Sequence, residues 1–555
     1  ITNFRVPGLD FSIDSTGALV TSGSAMGLYN TSQNGVKRGF KINSVGSLEP
    51  WNGNEVDVGV NGAWVREFKG STYTGATGNF SGTVTANAFA GDGSALTGLS
   101  AGVSSDAQKN TVAGTNAGDS FTGTDATDNT LIGYDAGTHI TTGDNNTAIG
   151  TNAGKEITTG STNTIIGKDA GDHIVSGTTN VAVGYAALTS ATSGTGNIAA
   201  GYQSLRDLTT GSYNVGLGQW ALGTGTLTGS YNVGIGYQAS KSLTSGSNNV
   251  GIGRNALEDG TSCTGVVAIG CFALTENETG NYNTAIGMMA SNENTTGSNN
   301  TAVGYEALYA STTANNTTAI GYKAGKSTTT GEGNTLIGYE AMHEATTAEF
   351  NVAVGVQALA NTTTANFNTA VGIEALKMNT TGRDNVAIGW DSLENSTTAN
   401  FSVGVGAKSL KSCTTGHYNV AIGYEALDAS TTAVQNTAVG SEALTATTTG
   451  AYNTGVGNKS LWSLTTGSLN TGSGQVAGFN ITTGDNNTCI GHGSGNTTDA
   501  SPSTSLTTGS NNTLIGYYAS PSANNVSNEI TLGNSDITKF RIPGINFVIK
   551  DTTAT

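Results

Sequence analysis

Short apolar clusters alternate with polar stretches along most of the chain, and their spacing is its strongest structural signal. Each cluster follows the consensus N-T-A-I-G-Y-x-A-L and is succeeded by a variable stretch that contains Thr-Thr-Gly or Thr-Thr-Ala. With the glycine of each cluster as an anchor, 22 anchors recur every 17 residues from Gly133 to Gly491, with one step of 18. A final copy at Gly516 follows an eight-residue insertion around SPSTS.

A unit of 17 residues is too short for a helical-hairpin repeat, and connectors rich in Thr and Gly disfavour helix. β-Branched residues beside a fixed glycine instead predict one short strand and one corner per coil. Equivalent positions of successive coils then stack on one another, as in other solenoids. We therefore predict an all-β fold, a parallel β-solenoid or β-roll of about 23 seventeen-residue coils.

Three columns of the repeat are nearly invariant. The residue before the anchor is Ile, Val or Leu in 20 of 22 copies, the one before that is Ala or Gly in 18, and Asn stands four before the anchor in 19. We predict that the Ile/Val column fills the core of each chain and that the Asn amides bond to one another along the axis. The Ala/Gly column is predicted to meet another subunit, and polar residues two after the anchor, such as Glu306 and Lys323, to face solvent.

The two ends of the chain repeat each other, as ITNFRVPGLDFSID and ITKFRIPGINFVIK. Alternating residues on either side of a Pro-Gly pair predict a β-hairpin module at residues 1–14 and a capping one at 520–555. Between them we predict an aperiodic β-rich domain at 15–100, a transition segment at 101–128 and the solenoid at 129–519. The end modules are interpreted either as recurring caps or as surfaces that mate head to tail.

Composition narrows the possible functions. Glycine is abundant, at 81 of 555 residues, but has no Gly-X-Y period, which excludes collagen. A net charge of −17 argues against nucleic-acid binding, and no apolar run is long enough to span a bilayer. The first residues contain neither an initiator Met nor a signal-peptide core, so we expect a processed product or a piece of a longer chain.

Candidate catalytic chemistry is scarce. The G-x-G-x-x-[GA] pattern of nucleotide sites recurs in many coils without a helix to follow it, so it carries no such meaning here. The sequence GDNNT at Gly143 and Gly484 offers one carboxylate each, which fits a surface turn better than a Ca²⁺ loop. We predict no catalytic, cofactor-binding or metal-binding residues, four scattered free thiols and five dispersed histidines: Cys263, Cys271, Cys413 and Cys489; His139, His173, His343, His417 and His492.

The motif N-[TV]-A-[IV]-G-x-x-A, as in NTAIGMMA at Asn283–Ala290, resembles the head repeat of trimeric autotransporter adhesins. That resemblance implies a left-handed parallel β-roll with three chains around one axis, although the repeats of those adhesins are typically shorter. The flanking sequences resemble tail-fibre proteins of marine tailed bacteriophages: FAGDGSALTGLSAG (Phe89–Gly102), SSDAQKNTVAGTNAGDSFTG (Ser104–Gly123) and SNEITLGNSDITKFRIPGINF (Ser527–Phe547). This second resemblance implies a homotrimeric virion fibre, intertwined or closely packed, and supplies no binding residues.

We therefore expect an extracellular structural protein, a phage tail-fibre shaft that spaces or displays a host-recognition element. The alternative is a bacterial surface adhesin or extracellular filament subunit with head-to-tail assembly. An ice-binding solenoid and an enzyme rank below both. The expected partners are two further copies of the chain, other virion or fibre proteins at the end modules, and a host-surface glycan or protein, without nucleic acid or membrane insertion.

Overall fold

A computed structural model of the protein describes residues 104–121, 125–496 and 505–541, together with the backbone of six strands between Phe4 and Pro50. The chain divides into two units, Ile1–Leu96 and Thr97–Thr555. All regular structure in the described residues is β, and no helix there is long and apolar enough to cross a bilayer.

The first unit contains two small antiparallel sheets. The strands β1 (Phe4–Arg5), β2 (Ser12–Ile13) and β3 (Leu19–Val20) form one sheet, and β4 (Met26–Thr31), β5 (Lys37–Ile42) and β6 (Leu48–Pro50) form the other. Phe4 lies opposite Ile13 and Arg5 opposite Ser12, which is the pairing expected of the hairpin at 1–14. The predicted Pro-Gly turns and most of the predicted 15–100 domain lie outside the described residues.

The second unit is a β-solenoid of about 24 turns with about 17 residues per turn, which confirms the predicted fold. Its 25 parallel strands, β8 to β32, pair in register from coil to coil, and β7 lies antiparallel to β8 at one end. The strands are β7 (Ser104–Ser105), β8 (Thr111–Ala113), β9 (Thr130–Ile132), β10 (Thr147–Ile149), β11 (Thr164–Ile166), β12 (Val181–Val183), β13 (Ile198–Ala200), β14 (Val215–Leu217), β15 (Val233–Ile235), β16 (Val250–Ile252), β17 (Val267–Ile269), β18 (Thr284–Ile286), β19 (Thr301–Val303), β20 (Thr318–Ile320), β21 (Thr335–Ile337), β22 (Val352–Val354), β23 (Thr369–Val371), β24 (Val386–Ile388), β25 (Val403–Val405), β26 (Val420–Ile422), β27 (Thr437–Val439), β28 (Thr454–Val456), β29 (Thr471–Ser473), β30 (Thr488–Ile490), β31 (Thr513–Ile515) and β32 (Ile530–Leu532).

The anchor glycine ends each of these strands, and two constraints fix it there. Gly304 has φ 140°, a conformation that residues with a side chain rarely adopt. In addition, a Cβ at Gly304 would overlap the carbonyl oxygen of Gly321 in the next coil. Any larger residue would therefore both strain the corner and push two coils apart.

The orientation of the strand faces is the reverse of our prediction. The Ala/Gly column points into the chain's own core, where Ala148 and Ala319 are fully buried, whereas Ile320 in the Ile/Val column points outward and is 40% exposed. The reason is the alternation of side chains along a strand. The Asn that precedes each strand is buried, so the residue two places later shares its inward direction.

The predicted Asn ladder is confirmed in detail. Asn146 Oδ1 accepts hydrogen bonds from the backbone N–H and the side-chain Nδ2 of Asn163, both at 3.0 Å, and Asn163 Nδ2 also donates to the Gly177 carbonyl at 2.9 Å. Each buried amide thereby binds the coils on both sides, which removes the cost of burying it. The ladder changes where Asn is replaced, at Val266, Thr317, Ser402 and Glu529. It also changes next to Val266, where Asn283 Nδ2 donates to Asn277 Oδ1 instead of to the ladder.

A second ladder explains the Thr pairs of the repeat. The first Thr of each pair donates its hydroxyl to the backbone carbonyl one coil further on, as Thr312 does to Thr329 at 3.2 Å and Thr329 does to Thr346 at 3.0 Å. The second Thr, for example Thr330, is exposed. The first Thr of each pair therefore serves the stacking of coils.

Candidate subunit interface

The outward face of the parallel sheet is two side chains wide. The residues three before and one before each anchor glycine, from β9 to β32, form what we call the outer stripe. Its first column contains only Thr, Val and Ile, and its second contains Ile, Val and Leu except at Ala200 and Ser473. None of the 48 positions in these 24 strands carries a charge.

The outer stripe is uncharged and mostly apolar, with Thr at 13 of its 48 positions, and it is uncovered within one chain. Its Ile and Val side chains are 37% exposed at Ile132, 40% at Ile320 and 41% at Ile422. Sheet faces that meet water usually alternate buried apolar residues with exposed polar ones, and soluble monomers rarely expose apolar patches above a few hundred Å². A continuous stripe of this composition is typical of a surface that another chain covers.

Aromatic side chains flank parts of the stripe on both sides. One residue after the anchor, Tyr322 and Tyr339 stack with ring centroids 5.2 Å apart and an angle of 7° between the rings. Five residues before the anchor, Phe350 and Phe367 stack at 5.5 Å and 5°. These rings are about half exposed, so they widen the apolar surface in several groups of coils.

Charged residues are commonest two and five residues after the anchor, although some lie in the columns beside the stripe, such as Lys168 one after an anchor and Asp384 five before one. Most of those at the two commonest positions are half-buried rather than fully in solvent, and several form ion pairs, as Lys326 does with Glu306 at 2.8 Å and Lys408 with Glu425 at 3.3 Å. Such partly exposed pairs contribute little to stability. The two columns of the stripe itself contain no charged residue.

One group of three carboxylates in the described residues has a spacing suited to a metal ion, formed by Glu374, Asp391 and Glu394. Lysine ammonium groups already neutralise it. Lys411 Nζ lies 2.8 Å from Asp391 and 3.2 Å from Glu394, and Lys377 Nζ lies 2.9 Å from Glu374. The hydrogen bond from Lys411 to Asp391 raises the pKa of that lysine, so it stays charged, and we interpret the group as an ion-pair cluster.

The four cysteines are free thiols, as the sequence predicts. Cys263, Cys413 and Cys489 are buried, and burial raises the pKa of the first two to about 11 and of the third to about 12. A thiol must lose its proton to become a nucleophile. These side chains therefore serve as small apolar core residues.

The remaining candidate groups have local structural partners. Asp144 and Asp485 of the GDNNT sequences accept backbone N–H groups of the preceding coil, each at 2.7 Å. His139 lies 3.1 Å from Glu156, and His417 Nδ1 accepts the Asn400 N–H at 3.0 Å. Both histidine partners are 17 residues away, a spacing at which the repeat itself makes residues neighbours and which our sequence reasoning did not use.

Comparison of the chain with models of protein families, with characterised proteins and with solved structures finds no match in any of the three. The fold itself, a long β-solenoid, is consistent with a structural, fibre-like protein.

The outer stripe is the feature that the sequence analysis placed wrongly. The Asn column was the signal that could have placed it, because it shares a face with the Ala/Gly column.

Proposed function

We propose that the protein is the shaft of a structural fibre, a homotrimer in which the outer stripes of three chains face one another. The uncharged composition of the stripe over all 24 strands carries this proposal. The chain has a net charge of −17, so a face that meets water would be expected to carry charged residues, but this face carries none. Three copies then present the charged faces to solvent.

The size of the stripe supports a stable association. A band about 10 Å wide along the 24 strands of the stripe, at about 4.8 Å per strand, is about 115 Å long and covers about 1,150 Å² per chain. Standard stable interfaces bury about 800 Å² per partner. The resemblance of NTAIG to the head repeats of trimeric adhesins favours three copies over two.

One of the two strands with a small residue in the second column shows compensation that fits packing against a partner, whereas β29, with Thr471 and Ser473, does not. In β13 the second column holds Ala200, which is smaller than the usual Ile or Val, while the first column holds Ile198, which is larger than the usual Thr. The summed side-chain volume of the strand is therefore nearly kept. Volume is constrained in packed interiors but not at a surface that meets water.

We further propose that the fibre belongs to a phage particle, as the resemblance of its flanking sequences suggests, and that its solenoid is a spacer. A periodic shaft repeats the same shallow surface at every coil, whereas a specific receptor site needs a unique arrangement. Recognition of a host glycan or protein is then expected from the aperiodic region 15–128 or from a partner chain joined at the end modules. The alternative remains a surface adhesin or filament subunit of a bacterium.

Immunogold electron microscopy with antibodies against the solenoid distinguishes these locations. The proposal expects label on the fibres of tailed virions released from lysed cells. Antibody pre-adsorbed with the purified protein provides the control. Label confined to the surface of intact bacteria, with virions unlabelled, would replace the phage fibre by the adhesin.

A further inference from the structure

The solenoid interior changes from apolar to polar along its length at one position, seven residues after each anchor glycine, here called the core column. Toward the two ends this column is mostly apolar, with Ile140, Ile157, Ile174, Leu208 and Leu243 on one side and Leu464 and Ile481 on the other. In the eleven coils from Asn277 to Thr447 it is Asn, Ser or Thr in nine. The two exceptions are Ala345 and Cys413.

Eight of these nine polar side chains are buried with an atom that has no hydrogen-bond partner among the described protein residues: Asn294 Oδ1, Ser311 Oγ, Thr328 Oγ1, Thr362 Oγ1, Asn379 Oδ1, Ser396 Oγ, Ser430 Oγ and Thr447 Oγ1. Native proteins rarely leave buried polar atoms unpaired, because each costs free energy. Eight in one column indicate a common partner that is not part of the protein.

Two matched coils show that there is space for such a partner. Most of the other core residues around Ser396 and Leu464 are the same, since Ser392, Leu393 and Gly404 in one coil correspond to Ser460, Leu461 and Gly472 in the other. One further buried position differs, with Ser402 in place of Asn470. Ser396 has two fewer side-chain non-hydrogen atoms than Leu464, and Ala399 in place of Gly467 adds one. The positions of Leu464 and Gly467 compete for the same space within a coil, because a Cβ at Gly467 would lie 2.7 Å from Leu464 Cδ1. At these two positions the coil of Ser396 is smaller by one non-hydrogen atom, roughly the size of a water molecule, and Ser402 in place of Asn470 removes two more.

We propose that the core column binds a file of internal water molecules, one between consecutive polar side chains from Asn294 to Thr447. Asn277 lies outside the file, because its Oδ1 already accepts a hydrogen bond from Asn294 Nδ2. Oxygen atoms in successive coils lie about 4.8 Å apart, and a water bonded at about 2.8 Å to both subtends about 118°, close to the tetrahedral angle. The file is interrupted at Ala345 and Cys413, which offer no hydroxyl or amide group. Each water satisfies atoms of two coils and so couples them as the two ladders do.

A high-resolution crystal structure of the full chain tests the proposal directly. We expect ordered water between Ser430 and Thr447 and between Asn379 and Ser396, within about 2.6–3.2 Å of both side chains. No such water is expected beside Leu464. A dry column in a well-ordered interior would overturn the proposal.

A set of valine variants gives an independent test in solution, because Val has the shape of Thr without its hydroxyl. The triple variant Thr328→Val, Thr362→Val and Thr447→Val should lower the melting temperature by about 2 °C or more, since the waters lose a partner. The matched control changes three exposed threonines instead: Thr330→Val, Thr364→Val and Thr449→Val. If the hydroxyls are dry and unpaired, removing them raises the melting temperature, and that result would contradict the water file.

Discussion

The inner and outer faces of the same three-residue strands follow different rules, although they are only one residue apart in sequence. On the inner face Ala and Gly dominate, and Leu336 is tolerated where Gly325 in the preceding coil leaves space, since a Cβ at Gly325 would lie 2.5 Å from Leu336 Cδ1. On the outer face Thr, Val, Ile and Leu all occur, with Ala200 and Ser473 as exceptions, but charge never appears. The inner face is therefore limited by the volume of one coil, and the outer face by the need to stay apolar.

The largest expected effect is a charge on the inner face. Ala319→Asp would place a carboxylate without a cation partner in a fully buried position, at a cost of at least about 3 kcal/mol. Because coils support only their neighbours, the damage should begin around that coil. We expect a clear drop in melting temperature by circular dichroism and new proteolytic cleavage near residue 319, whereas unchanged melting and cleavage would show that this column is not the core.

A charge on the outer face should act on association and not on the fold. Val303→Asp, Ile320→Asp and Ile337→Asp lie in three adjacent strands of the outer stripe. In one chain these carboxylates reach solvent, so the β-sheet spectrum should persist. In the trimer nine carboxylates would meet in an apolar interface, so we expect dissociation into folded monomers by light scattering.

The matched control places the same three charges on the exposed second threonines of the same region, as Thr313→Asp, Thr330→Asp and Thr347→Asp. This variant should keep the mass of the wild-type assembly. An outer-stripe variant that also keeps that mass would place the subunit contact elsewhere on the coil.

Removing whole coils should leave both faces intact. Deletion of Tyr305–Gly372 removes 68 residues, four coils of 17, and should shorten the shaft by about 19 Å without loss of assembly or receptor binding. Deletion of Tyr305–Ile373 removes one residue more and leaves a coil of 16, which moves the strand out of register. The first variant should melt close to the wild type and the second below it, as measured by calorimetry, and loss of receptor binding in a folded first variant would place recognition in the solenoid.

The smallest expected effect is the loss of one hydrogen bond of the Thr ladder, which supports the inner and outer faces equally. Thr329→Val removes the hydroxyl that donates to the Thr346 carbonyl and should cost about 1 kcal/mol. Its neighbour Thr330 is exposed, so Thr330→Val is the control and should be near neutral. The midpoints of urea unfolding compare the two, and equal midpoints would mean that the Thr ladder adds nothing measurable.

Most of the fold follows from the sequence because a strict period reveals which residues stack. The strand, the anchor glycine and the Asn ladder each appear as a column, and the pairing of Ala319 with Leu336 is fixed by the 17-residue spacing alone. The direction of each face does not follow from hydrophobicity, because Ile outside and Ala inside contradicts the usual expectation. The reason is that the coil is narrow. Leu308 and its equivalents already fill most of its interior, so the inward strand position has room only for Ala or Gly in most coils.

Pairs such as His139 and Glu156 show a second limit of sequence analysis. The 17-residue spacing makes the two residues neighbours, but nothing in the sequence indicated that they interact. The polar core column was likewise readable as a column, yet its unpaired atoms are a property of three-dimensional packing. The sequence therefore predicted a periodic interface on one face of the strands. It assigned this interface to the Ala/Gly column, whereas the uncovered face carries the Ile/Val column.

The central claim is that the outer stripe is covered by two further copies of the chain. Sedimentation of the full-length protein at micromolar concentration tests it most directly. The account predicts a single species of about 167 kDa, three times the chain mass of 55.7 kDa. A folded species of 55.7 kDa that stays monomeric and soluble would contradict it.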